Sequence, residues 1–163
     1  MCDMGSVTIG ISDMNVVRGG DSIITYALGS CVGVALYDST RKIAGLAHVL
    51  MPSSKDVRDG NINVMKYVDT AVPELVKRME RAGASPYALV AKIAGGAQMF
   101  AISGSAQFNI GDRNVLMARE ALQKLRIQIV AQDVGSNYGR TVELFSDSGI
   151  YRIKAIAKGI RDI

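Results

Sequence analysis

Histidine, cysteine and tryptophan are scarce in this 163-residue chain, which has one histidine, two cysteines and no tryptophan. The two cysteines, Cys2 and Cys31, are too few for a disulfide framework, and we expect no bridge between them in a reducing compartment. Most zinc sites need more histidine and cysteine ligands than the chain carries, so we expect no metal site. Disulfide-stapled and zinc-binding classes of protein are therefore disfavoured.

Long apolar runs are also lacking. No run reaches the ~18 residues that suggest a membrane span. The opening MCDMGSVTIG lacks the basic and apolar regions of a signal peptide, so we expect a cytoplasmic protein.

The excess of positive over negative charge is also small. The net charge is only +4, and the basic residues are scattered except in the terminal RIKAIAKGIR, which we expect to be a solvated tail. Nucleic-acid binding would need a denser basic patch with interleaved aromatic residues. A mildly basic surface suits an acidic protein partner instead.

The length and the 48% hydrophobic content suit a single domain over residues 1–163. Short apolar runs rich in β-branched residues and bounded by Gly, Asp, Asn or Ser predict strands. The predicted strands are Val7–Ile11, Ile23–Leu28, Val32–Tyr37, Ile43–Leu50, Ala88–Ala94, Ile127–Val134, Thr141–Phe145 and Ile150–Ile156.

Two segments show helical periodicity. The first runs from Asn63 to a stop at Gly83, and Pro73 should kink or divide it. The second runs from Asp112, as N-cap, to Leu125. Its expected inward-facing residues are Val115, Leu116, Ala118, Leu122 and Leu125. Without regular β–α alternation, this pattern predicts an α+β layered sandwich of mixed or antiparallel sheet with two main helices. The polar stretch 51–63 is the expected mobile loop.

The segment TYALGSCVGVALYD is followed, after a short polar turn, by AGLAHVLMP, a pattern typical of a β-hairpin. If Asp38 pairs with Ile43, Gly33 lies opposite His48 and Cys31 lies opposite Leu50. A turn two residues tighter places Cys31 opposite His48. Because side chains alternate along a strand, both registers put the cysteine and the histidine on one face.

A cysteine beside a histidine can act as a nucleophile, because the imidazole can accept the thiol proton and lower the thiol pKa. Thr25 is the candidate to orient the imidazole. The backbone N–H groups of Gly29, Ser30 and Cys31 could stabilise an oxyanion. The alternative is that Cys31 and His48 are ordinary packing residues. Composition and spacing leave a cysteine hydrolase as one possibility beside that alternative.

Five segments, in order between Val7 and Phe145, resemble the CheD family of chemoreceptor glutamine deamidases. They are TYALGSCVGVALYD, AGLAHVLMP, KIAGGAQMF, NIGDRNV and DVGSNYGRTV. The resemblance implies a protein-glutamine glutaminase, a hydrolase whose catalytic set falls on Cys31, His48 and Thr25. It also implies a fold similar to bacterial toxin deamidases.

The resemblance implies that glutamines of methyl-accepting chemotaxis receptors are the substrate and that no cofactor is required. A CheC-type phosphatase, acting on phosphorylated CheY, is the implied partner, with the chain a monomer or a heterodimer with that partner. Two other hypotheses stay open: a non-catalytic module that stimulates the phosphatase, and a scaffold domain. No phosphate-binding glycine motif supports nucleotide binding.

Two further segments are ambiguous. Gly95 and Gly96 either line a substrate groove, with Met99 or Phe100 as apolar contacts, or form a strand-end turn with positive φ. Tyr138 and Arg140 either hold an edge of the site or are a buried tyrosine and a surface arginine.

Overall fold

The structure is a computed structural model that describes residues 5–55, 57–58, 60–99 and 109–163. It is an α+β sandwich, as the sequence predicts. The strands are β1 (Ser6–Ile9), β2 (Asp13–Arg18), β3 (Ser22–Leu28), β4 (Val32–Asp38), β5 (Ile43–Val49), β6 (Leu89–Gly95), β7 (Gln128–Val134), β8 (Arg140–Phe145), β9 (Tyr151–Ala155) and β10 (Gly159–Asp162). The helices are α1 (Val68–Arg81) and α2 (Ile110–Lys124).

The strands form two five-stranded sheets. The outer sheet has the order β1-β3-β8-β9-β10, and the central sheet has the order β2-β5-β4-β6-β7. Both are mixed, because β1 pairs with β3 and β6 pairs with β7 in parallel. One apolar cluster joins α1 and α2 to the central sheet, and a second fills the space between the two sheets. The central sheet is therefore covered on both faces.

The β4–β5 hairpin has the first of the two predicted registers, with Asp38 opposite Ile43 and Gly33 opposite His48. Every residue of both strands is buried. The face of the hairpin that carries Val34 contributes to the cluster beneath the helices. The opposite face, which carries Ala35 and Leu46, contributes to the cluster between the sheets. The prediction that Cys31 and His48 share a face is confirmed.

Helix α1 begins at Val68, five residues later than expected, because residues 64–66 form a turn and Tyr67 forms a bridge with Met51. Pro73 lies inside the helix and does not divide it. Its missing N–H removes one backbone bond in the second turn. Gly83 ends the helix with φ +106°, and the N–H groups of Gly83 and Ala84 donate to Glu80 and Met79. This is the Schellman arrangement that glycine favours.

Helix α2 begins earlier than predicted, and its N-cap is Asn109, not Asp112. The Asn109 side chain accepts a hydrogen bond from the Asp112 N–H at 3.3 Å. Leu116 and Leu125 were expected to face inward and are 56% and 39% exposed. The buried face of α2 includes the polar residue Asn114 instead of these two leucines. The expectation is confirmed for Val115, Ala118 and Leu122 and is wrong for the two exposed leucines.

Two strands were not predicted, β2 and β10. In β2 only Met14 and Val17 are buried, and in β10 all four residues are exposed. Neither strand therefore shows a clear apolar pattern in the sequence. The terminal segment is largely exposed to solvent, as expected, but it is folded into strands and is not a tail. The terminal segment forms the antiparallel pair β9–β10, and its Lys154 and Lys158 side chains are exposed.

Within the described ranges, no helix is both long enough and apolar enough to cross a membrane.

Candidate active site

The chain passes from the outer sheet to the central sheet through the turn that carries Cys31. Thr25 lies in β3 of the outer sheet, Cys31 directly precedes β4, and His48 lies in β5 of the central sheet. Thr25 and His48 are fully buried, and Cys31 is 6% exposed. Because Gly33 pairs with His48, Cys31 takes the position diagonal to His48 on the same face, for which regular sheet geometry gives Cα separations of about 7–8 Å.

The Thr25 hydroxyl orients the imidazole. Its Oγ1 lies 2.7 Å from Nδ1 of His48 and 3.0 Å from the carbonyl oxygen of Ile9. A carbonyl only accepts, so the single hydroxyl proton is donated to Ile9 and Nδ1 must be the donor to Oγ1. His48 is therefore the Nδ1–H tautomer, with its lone pair on Nε2. This nitrogen is buried and has no hydrogen-bond partner among the described residues.

Burial sets the protonation of the pair in the free protein. It lowers the pKa of His48 from 6.5 to about 4 and is also the main reason that the pKa of Cys31 is raised. The cysteine's own backbone N–H opposes the second shift. The sequence-based expectation of a lowered thiol pKa is therefore not met in the free protein. The resting pair is a neutral thiol and a neutral imidazole.

A tyrosine that the sequence did not indicate lies beneath the site. Tyr151 is fully buried, and its hydroxyl donates a 3.1 Å hydrogen bond to the carbonyl of Gly33. A Cβ added at Gly33 would overlap that hydroxyl and crowd Leu28. Glycine opposite His48 is thus required by the packing between the two sheets.

Hydrogen bonds to three backbone carbonyl groups hold the turn that ends at Cys31 in place. The carbonyls of Gly29, Ser30 and Cys31 accept hydrogen bonds from Ala97 N, Asn114 Nδ2 and Gly96 N, each at 2.8 Å. Within the described ranges, the N–H groups of the same three residues donate to no other residue. Strand β3 has a bulge just upstream, where Ala27 adopts φ +61°. Bulges commonly redirect the chain next to functional sites.

The structure places Gly95 and Gly96 behind the cysteine. Both are buried and have positive φ, +101° and +64°. A Cβ at Gly95 would overlap the Cys31 carbonyl oxygen, and one at Gly96 would overlap the Val115 side chain. These contacts favour the strand-end turn. Met99, 45% exposed, lies against Gly29.

Arg140 is buried, whereas one of the two sequence-based alternatives placed it on the surface. It is 2% exposed and forms a 2.9 Å ion pair with Asp133, while Nη1 donates to the Gly135 carbonyl. Tyr138 is half-buried, with its ring 4.4 Å from the guanidinium carbon. Arg140 pairs with Leu28 in the sheet, so it holds the loop beside the cysteine turn. Cys2 and Phe100 lie outside the described residues.

Asn114 is the second residue that sequence reasoning missed. It is fully buried on α2, and its Nδ2 donates to the carbonyls of Ser30 and Leu50 at 2.8 and 3.1 Å. The available signal was an asparagine on the buried stripe of an amphipathic helix, because such a side chain must find polar partners.

Comparison with known proteins gives consistent family assignments. A family model described as CheD chemotactic sensory transduction matches residues 50–155. Proteins named "Probable chemoreceptor glutamine deamidase CheD" include one from Lachnoclostridium phytofermentans, 48% identical over 93% of this chain and 94% of its own. Another, from Geobacillus kaustophilus, is 46% identical over 97% of both chains.

A solved structure of Bacillus licheniformis hypothetical protein YfiH has a TM-score of 0.47 and 13% identity, covering 77% of this chain and 50% of that one. That similarity is too low to carry an argument.

The family model begins after Thr25, Cys31 and His48, but the Geobacillus relative aligns over 160 residues and so spans all three positions. Identity of this level over nearly the whole length of both chains does not arise by chance. This chain belongs to the CheD family.

Proposed function

We propose that this protein is a protein-glutamine deamidase that acts on chemoreceptors in the cytoplasm, with Cys31 as nucleophile. His48 is the general base and acid, and Thr25 positions the imidazole. The name of the relatives supports the reaction. The observation that carries the residue roles is the 2.7 Å contact between Thr25 Oγ1 and His48 Nδ1, which leaves a bare Nε2 on the face shared with Cys31.

In the first half-reaction, Nε2 of His48 takes the proton of the Cys31 thiol as Sγ attacks the carbon of the glutamine side-chain amide. The negative charge that develops on the amide oxygen is stabilised by the N–H groups of the cysteine turn. The imidazolium then donates its proton to the departing nitrogen, ammonia leaves, and a thioester to Sγ remains.

In the second half-reaction, Nε2 accepts a proton from water as the water oxygen attacks the thioester carbon. The carbon–sulfur bond breaks, the proton returns to Sγ, and the side chain is released as glutamate. All proton transfers use one imidazole nitrogen. This requires that Nδ1 stay protonated throughout, and the Thr25 contact supports that requirement.

Burial means that the nucleophile is not ionised in advance. With the thiol pKa raised and the imidazole pKa near 4, the proton stays on sulfur until the amide carbon is within reach. Proton transfer and attack are then coupled.

The reaction is tested by incubating a chemoreceptor cytoplasmic fragment with the wild type, with Cys31→Ala and with the matched control Cys2→Ala. Mass spectrometry of the receptor peptides should show the amide-to-acid mass change at specific glutamines with the wild type and the control only. Ammonia should likewise be released by the wild type and by Cys2→Ala, and not by Cys31→Ala. Turnover that persists in Cys31→Ala would remove the cysteine from the mechanism.

A second candidate function is binding of a CheC-type phosphatase. The observation that favours a protein partner is a group of exposed apolar side chains on the outer sheet and its β9–β10 turn: Tyr26, Ile156 and Ile160 are 55%, 96% and 66% exposed. Exposed apolar groups of this kind are typical of interaction sites. Cys31→Ala should keep phosphatase binding, and Ile156→Glu should weaken it. Equal affinity for wild type and Ile156→Glu would argue against this surface.

A further inference from the structure

Asn114 links the nucleophile to the strand that carries the histidine. It lies in the second turn of α2, and its two Nδ2 hydrogens are both used, one on the Ser30 carbonyl and one on the Leu50 carbonyl. Ser30 directly precedes Cys31, and Leu50 directly follows β5, two residues after His48. One side chain thus spans the two chain segments on which the reaction depends.

The side chain carries an unusual polar defect. Among the described residues, only two buried side-chain nitrogen or oxygen atoms lack a hydrogen-bond partner: Nε2 of His48 and Oδ1 of Asn114. The first belongs to the reaction, since it must accept the thiol proton. The second lies on a side chain that is itself fully buried and bonded to the neighbour of Cys31.

The hydrogen bond to Ser30 acts on a specific peptide group. The Ser30 carbonyl and the Cys31 N–H belong to the same amide, so a donor held on that oxygen fixes the direction of the N–H. It also polarises the amide and makes the N–H a stronger donor. The Cys31 N–H is one of the groups available to a developing oxyanion, because it donates to no other residue in the described ranges.

We infer that Asn114 is a positioning residue for deamidation, which orients and polarises the Ser30–Cys31 peptide so that its N–H stabilises the oxyanion. The inference rests on the proposed function. It does not assign Asn114 any contact with substrate. Helix α2 can hold the amide in place because Val115 and Ala118 anchor it in the core, at 6% and 0% exposure.

The test uses the 163-residue protein in a Cys2→Ala background, so that Cys31 is the only thiol. Two variants separate hydrogen bonding from packing: Asn114→Ser keeps one donor, and Asn114→Val fills the space without one. Leu116→Ala, on the exposed face of the same helix, is the control. The measurements are kcat and KM on a receptor fragment, the rate of Cys31 alkylation by iodoacetamide, and Tm.

Asn114→Val should lower kcat by roughly 10–100-fold with KM within about threefold, because the lost effect acts on the transition state. Asn114→Ser should have a higher kcat than Asn114→Val, regardless of which of the two variants has the higher Tm. Alkylation should stay within about twofold in both, since iodoacetamide reacts through no oxyanion. Leu116→Ala should match the background protein.

Three results would overturn the inference: a wild-type kcat in Asn114→Val, a kcat order that follows Tm and not the donor, or alkylation that falls in parallel with kcat. Background protein that releases no ammonia would instead overturn the proposed function itself, and this inference with it. The two failures are therefore distinguishable.

Discussion

The Thr25 hydroxyl lies 2.7 Å from Nδ1 of His48, and this contact joins a strand of the outer sheet to a strand of the central sheet. The same hydroxyl donates to the Ile9 carbonyl in β1. Three strands thus meet at one hydroxyl group, and the resulting tautomer directs the histidine lone pair away from Thr25. The orientation of the imidazole depends on how the two sheets pack.

Removing the hydroxyl should therefore affect catalysis more than substrate binding. Thr25→Val preserves the shape but leaves Nδ1 and the Ile9 carbonyl without their partner, at a cost of about 1–3 kcal/mol in the free energy of unfolding. We expect kcat to fall at least tenfold with little change in KM, and Thr25→Ser to retain most activity. Nitrogen NMR of His48, the single histidine of the chain, reports the tautomer directly. An unchanged tautomer in Thr25→Val would contradict this account.

The buried imidazole should make stability depend on pH in the acid range. The pKa of His48 is about 4 when folded and 6.5 when exposed, so the unfolded chain binds the extra proton between these values. The stabilising contribution is fully present above pH of about 6.5 and is lost as the pH falls toward about 4, by roughly 3 kcal/mol in total.

Urea unfolding of wild type and His48→Gln across this range measures the difference, because other groups titrate equally in both. The loss on acidification should be smaller in His48→Gln. Parallel pH curves for the two proteins would contradict the prediction, as would an NMR titration of His48 with its midpoint near 6.5.

The resting cysteine should react slowly. Cys31 is 6% exposed, and burial raises its pKa, so little thiolate is present at neutral pH. In a Cys2→Ala background, iodoacetamide should alkylate folded protein at least tenfold more slowly than the urea-unfolded chain, with a rate that rises into the alkaline range. Faster alkylation of the folded protein would indicate a preformed thiolate–imidazolium pair, as the sequence alone had suggested.

Gly33 should tolerate no side chain while Tyr151 keeps its hydroxyl. Gly33→Ala forces a methyl group against that oxygen and should destabilise the protein by about 1–3 kcal/mol. Tyr151→Phe removes the oxygen, so the double variant should be more stable than the two separate effects predict. Gly45→Ala, also in the central sheet, is the control, because its methyl group meets Met79 and Leu75 instead of Tyr151 and should therefore be additive with Tyr151→Phe. Simple additivity of Gly33→Ala and Tyr151→Phe in urea unfolding would contradict the proposed overlap.

Local pattern was sufficient for part of this molecule. The apolar strands β4 and β5 and the polar turn between them restrict the hairpin to two registers, and either one places Cys31 and His48 on one face. Side chains alternate along every strand, so this inference needs no knowledge of the rest of the fold. Family membership was equally readable, since the motifs occur in order along the chain.

Other features were beyond local pattern. Strand β2 alternates poorly because only Met14 and Val17 reach the core, and the charge of Arg140 gave no sign that Asp133 and the Gly135 carbonyl would bury it. Asn114 faces the core because the phase of α2 is set by packing, not by its leucines.

By itself, the sequence determined which two strands carry the sulfur and the imidazole and that these groups share a face, because pairing between neighbouring strands is local. Only the tertiary structure decided the protonation of that pair. The contacts of His48 with Thr25, and of Cys31's peptide with Asn114, join segments 23 and 84 residues apart, and burial from several elements shifts both pKa values. Tautomer and ionisation depend on the whole set of surrounding atoms, and that set exists only after the two sheets and α2 have packed.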